Sequence, residues 1–96
     1  MTKIKIDRYS LIVTARGHAG WDKNGHDIVC AAESMLLYAL SDFAQAHGGI
    51  CIEDDGYMRV EFPPQESEYL YGGFDALCEG LRMLADEYPD HVCVEG

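Results

Sequence analysis

Apolar and polar side chains alternate at the start of the chain, through Lys3, Ile4, Lys5 and Ile6. After a break at Asp7 and Arg8, a second extended run covers 9–15. A period of two puts one set of side chains on a buried face and the other in water, so both runs predict strands and the break predicts a hairpin. The period then changes. Over 28–46, Val29, Ala32, Leu36, Ala39, Leu40 and Phe43 recur at the spacing of one helical face. Asp27 is a suitable N-cap, because its carboxylate can accept from the unpaired amides of the first turn, and Gly48-Gly49 supply the stop. Residues 50–53 and 57–62 read as two further strands, joined by Asp55-Gly56, a pair that suits a type I′ turn. Over 68–87, Leu70, Phe74, Leu77, Cys78, Leu81, Leu84 and Ala85, with Tyr88 just beyond, form a second apolar stripe that Pro89 terminates. A last strand follows at 91–95. The order β-β-α-β-β-α-β predicts an α+β fold, with two helices packed on a mostly antiparallel sheet.

Ninety-six residues predict one domain over 1–96, and the modest core makes a homodimer a reasonable expectation. Charge narrows the choice of partner. Seven Lys and Arg stand against seventeen Asp and Glu, a formal −10, with no basic run along the chain. Direct nucleic-acid binding is therefore not expected, whereas a basic protein partner would be steered towards this surface. The N-terminus lacks the apolar run of a signal peptide, and no segment approaches the ~18 apolar residues of a membrane helix. A cytoplasmic protein with no membrane contact and reduced thiols is expected. Cys30, Cys51, Cys78 and Cys93 are far apart and form no C-x-x-C pair. The spacing points to neither a zinc site nor a disulfide scaffold, and nothing implies another metal or a cofactor.

The candidate chemistry lies in Gly17-His18-Ala19 and Gly25-His26-Asp27-Ile28-Val29-Cys30. With Asp27 as cap, Cys30 is the third helical residue, where unpaired N–H groups and the positive end of the helix dipole favour a thiolate. A nucleophile also needs a base within reach. His18 ends the preceding strand, and the loop after it is long enough to fold back. Gly17 beside it leaves room for a close backbone approach. From spacing alone the pair is a weak signal, and a small buried thiol beside a loop histidine fits better. Trp21 and His26 in the loop are candidates for substrate contact, with burial of Trp21 against a partner subunit as the alternative. Ser34, one turn beyond Cys30, is placed either to line the site or to pack. Cys51, Cys78 and Cys93 read as structural, and His47 and His91 need no special role.

This paired motif resembles the signature of the Prp (YsxB-like) family of small bacterial cysteine proteases, and so does the segment Leu81 to Val92, with Glu87-Tyr88-Pro89-Asp90-His91 within it. The resemblance covers essentially the whole chain. It implies that Cys30 is the nucleophile and His18 the general base. It further implies removal of a short N-terminal extension from a large-subunit ribosomal protein, the twenty-seventh in its series, or from a phage capsid or scaffold protein with a similar cleavage sequence. A homodimer is implied as well, with Gly17 as the flexible residue beside the histidine and Asp27 as a supporting acid. The amides of Cys30 and its helix-start neighbours are the expected oxyanion donors. Glu33 departs from the pattern, since relatives commonly carry a small or apolar residue there; it is expected to face solvent. That departure sustains the alternative of a non-catalytic, Prp-like binding module regulating a ribosomal or phage partner. A redox sensor built on Cys30 lacks a resolving cysteine nearby in sequence.

Overall fold

In the computed structural model, which describes residues 1–23, 27–64 and 67–96, the alternating segments pair into one five-stranded sheet. The elements are β1 (Thr2–Asp7), β2 (Ile12–Arg16), α1 (Ile28–Ala46), β3 (Ile50–Asp54), β4 (Tyr57–Glu61), α2 (Glu68–Glu87) and β5 (Val92–Glu95). The spatial order is β3-β4-β2-β1-β5; every neighbouring pair is antiparallel except β1–β5, which is parallel. Thr2, Ile4 and Ile6 of β1, Val13 and Ala15 of β2, and Met58 and Val60 of β4 point to the buried face. Both helices cover that face, with Leu40, Phe74 and Leu81 fully buried between the layers.

The other face is open. Lys3, Lys5, Arg16 and Arg59 gather there, so four of the seven basic residues, scattered in sequence, become neighbours in space.

Two strands start later than expected. β2 begins at Ile12 because Asp7 Oδ1 accepts from the Ser10 amide (3.0 Å) and Leu11 takes a left-handed φ of 54°, so 8–11 form a turn. β5 begins at Val92 because the amides of His91 and Val92 both donate to the Tyr88 carbonyl, each at 3.0 Å.

The apolar face of α1 is also rotated from the expected stripe. Val29, Glu33, Leu37, Leu40, Ser41 and Ala44 are buried, while Ala32 is exposed. Leu36 and Phe43 are half-buried and lean on α2, where glycines make space. A Cβ on Gly73 would lie 2.3 Å from the Phe43 ring, and one on Gly80 2.7 Å from Leu36 Cδ2. These glycines sacrifice helix propensity to let the two helices approach closely.

Candidate active site

Asp27 does more than cap a helix. Its backbone is extended (φ −82°, ψ 97°), Oδ1 accepts from the Cys30 amide at 2.8 Å, and Oδ2 accepts from Trp21 N at 3.0 Å and Asp22 N at 3.4 Å. One carboxylate thus ties the first turn of α1 to the loop leaving His18. These bonds, the one from Cys30 foremost, hold the carboxyl below its ordinary range. The same geometry occupies two of the expected oxyanion donors. The Cys30 amide is committed to Asp27 Oδ1, and the Ala31 amide to the Asp27 carbonyl at 3.1 Å, so neither is free to hold an oxyanion.

His18 is placed by two glycines. Gly17 has a φ of 96°, donates from its amide to the Gly56 carbonyl at 2.8 Å, and passes so near β1 that a Cβ would lie 2.4 Å from the Met1 carbonyl oxygen. The chain's own backbone makes this close approach. The His18 ring lies beside Gly56 in the β3–β4 turn, with Nε2 3.7 Å from Asp55 Oδ1 and most of its side chain in water.

The loop then turns inward. Ala19 is buried, and its carbonyl oxygen lies 3.0 Å from His91 Nδ1. A carbonyl only accepts, so Nδ1 of His91 carries the proton. Trp21 meets Tyr88 edge to face at 6.3 Å; it is not among the residues lining the cavity described next.

Cys30 and His18 open onto one cavity of about 500 Å³, walled by α1 and the β3–β4 turn, and Ser34 lines it too. Cys30 is half-buried. His26 lies outside the described residues.

Glu33 lines the same cavity, and the expectation that it faces solvent is overturned: it is 5% exposed. The rotation of α1 turns position 33 towards β1, where Oε1 accepts from the Thr2 hydroxyl at 2.7 Å. Oε2 is buried without a partner among the described residues. Burial is the main cause that pushes this carboxyl above its ordinary value, and nearby Asp27 adds to it; the Thr2 bond, the Met1 amine and His18 pull the other way. A buried acceptor left open costs about 1–3 kcal/mol.

A nucleophile-type cysteine at a helix start, sharing a cavity with an exposed histidine, is an arrangement suited to acyl transfer. The family model for cysteine protease Prp matches residues 1–93. The chain belongs to this family. Two curated relatives are named ribosomal processing cysteine protease Prp. The one from Mycoplasma pneumoniae is 30% identical, the match covering 99% of this chain and 94% of the relative; that from Mycoplasma genitalium is 27% identical over 98% and 94%. Among solved structures, the essential ribosomal processing protease Prp from S. aureus, in complex with a covalently linked product peptide, superposes with a TM-score of 0.82. It is 20% identical, with 98% of this chain and 95% of that chain covered. A Streptococcus mutans protein superposes at 0.72, with 28% identity and 98% and 90% coverage. The chain is thus a cysteine protease of the Prp family, and its order of elements is the order expected for the fold.

Thr2, Asp55 and Gly56 line the Prp-type cavity, and Tyr88 and His91 hold the loop beside it; sequence reasoning gave none of them a role in the site. Each meets the loop or α1 from a distant element, so no local period marks its part in the site. The one available sign was the segment ending in Tyr88-Pro89-Asp90-His91, which carried resemblance without a stated role.

Proposed function

We propose that this chain acts as one domain over 1–96, a cytoplasmic endopeptidase that removes a short N-terminal extension from a large-subunit ribosomal protein, with Cys30 as nucleophile and His18 as base. A phage capsid or scaffold protein with a similar cleavage sequence is the second substrate class. The observation that carries the reading is the shared cavity: Cys30 on the first turn of α1 and His18 two residues beyond β2 open onto the same space in a Prp-family chain.

The Cys30 thiol passes its proton to His18, and the sulfur attacks the scissile carbonyl carbon to give a tetrahedral oxyanion. Collapse breaks the C–N bond; the leaving amine takes the proton from His18, and a thioester remains on Cys30. Water then attacks the thioester as His18 takes its proton. The sulfur departs and regains that proton. Asp55 is placed to compensate the charge of the imidazolium. Asp27 and Gly17 fix the positions of the helix start and of His18. Ser34 borders the peptide path, and Trp21, beside Tyr88 and off the cavity wall, and His26 are the loop's candidates for substrate contact. A homodimer completes the proposal.

The test is incubation of purified wild type, Cys30→Ala and His18→Ala with peptides spanning the extensions of that ribosomal protein and of phage structural proteins. Cleavage by wild type, abolished in both variants, is the expected result. No cleavage of any peptide by wild type would favour the binding-module alternative.

A further inference from the structure

The cavity that holds Cys30 and His18 carries four carboxylates and, among the described residues, no lysine or arginine. Glu53, Asp54 and Asp55 stand exposed on its rim, at the end of β3 and in the turn that follows. Glu53 accepts from the Tyr38 hydroxyl and Asp55 stands beside His18, but no lysine or arginine among the described residues pairs with any of the four. Rim carboxylates alone would be an ordinary solvated surface. Glu33 is different: it is 5% exposed, lines the cavity, and has spent Oε1 on Thr2 while Oε2 has no partner among the described residues. Buried acceptors are nearly always satisfied, so one left unpaired in a side chain that lines a cavity points to a donor that arrives with a ligand as that side chain turns towards it. Excess negative charge around it selects a cationic donor. Leu37 and Met58 in the same wall suit the methylene stem of such a side chain.

Glu33 follows Cys30 by three residues on α1, and positions so spaced are neighbours on a helix surface. We propose that this part of the cavity is a subsite for a lysine or arginine side chain of the substrate close to the scissile bond, with Glu33 as its specificity-determining acceptor. The inference rests on the proteolytic reading above and deepens it by stating what the cleavage site must contain. Asp54, on the rim, draws the cation in, and Glu33 Oε2 receives an N–H.

The test uses the Cys30→Ala chain and fluorescent peptides in which each position around the scissile bond carries in turn lysine or its uncharged isostere norleucine. At one position lysine binds about tenfold or more tightly than norleucine, as a charged hydrogen bond warrants. Adding Glu33→Gln, which keeps an acceptor for Thr2, brings that ratio towards one. Adding Asp54→Asn, on the exposed rim and away from the core, lowers it at the same position. Equal binding at every position overturns the subsite, and so does a preference that both variants leave intact. Wild-type cleavage of the same panel separates the two claims. Lysine-selective binding without any cleavage would sustain the subsite and overturn the protease reading, and cleavage without charge preference would do the reverse.

Discussion

His91 Nδ1 donates to the Ala19 carbonyl oxygen across 3.0 Å, joining the turn before β5 to the residue that follows His18. With Ala19 buried and Trp21 set edge-on against Tyr88, this bond anchors the far side of the His18 loop on the α2–β5 corner. Replacing His91 with Ala removes one hydrogen bond, worth about 1 kcal/mol. The expected outcome is faster hydrogen exchange at the amides of 19–23 and a kcat/KM lower by about tenfold, while the rest of the chain exchanges as before. A purely structural histidine would instead raise exchange throughout.

Asp27 joins Cys30 to the loop amides, so its two possible replacements should part ways. Asp27→Asn keeps a side-chain acceptor for the Cys30 amide; Asp27→Ala keeps none. Peptide cleavage should fall about tenfold or more further in the Ala variant than in the Asn variant. The sign with pH is fixed by the lowered carboxyl. Its contribution to stability is complete above the unfolded value and lost as pH falls through the folded one. Wild type should therefore lose stability in acid more steeply than Asp27→Asn, as urea titrations at several pH values would show.

Glu33 gives the opposite sign. Its carboxyl is raised, chiefly by burial, so the folded chain holds this proton more tightly than the unfolded chain does. That advantage is complete below the unfolded value and disappears as pH rises through the folded one. Glu33→Gln cannot ionise and should be more stable than wild type by about 1 kcal/mol at neutral pH, with the difference vanishing in acid. Urea midpoints at about pH 3 and about pH 8 bracket the ordinary carboxylate range and check it.

The helix interface separates neighbouring glycines. Gly73→Ala forces a methyl into the Phe43 ring, whereas nothing lies within 4 Å of a Cβ at Gly72. Thermal unfolding should show Gly73→Ala destabilised by about 1–3 kcal/mol through overpacking. Gly72→Ala should be stabilised by about 0.5–1 kcal/mol through helix propensity.

The elements were legible because the hydrophobic period switches cleanly between two and 3.6, with Asp27 and Gly48 marking the ends of α1. Strand ends were not, where a side chain competed for the backbone, as Asp7 does at Ser10. The phase of α1 misled because its stripe is shared between the sheet and α2: Leu36 and Phe43 look inward in sequence but rest on Gly80 and Gly73. Glu33 was unreadable for a related reason. A carboxylate is assigned to water unless its partner is known, and that partner is Thr2 on another element. Asp27 and Cys30 were candidates because helix-start chemistry is local, and His18 joined them through the family resemblance, whereas His91 and Asp55 reach the site only through the fold.

The central claim is that Cys30 becomes acylated by the substrate. The direct measurement is mass spectrometry of the chain mixed with the ribosomal extension peptide and quenched in acid during turnover. The account predicts a thioester adduct mapped to Cys30, absent from Cys30→Ala and formed more slowly in His18→Ala. An adduct on Cys51 or Cys93, or cleavage that continues in Cys30→Ala, would contradict it.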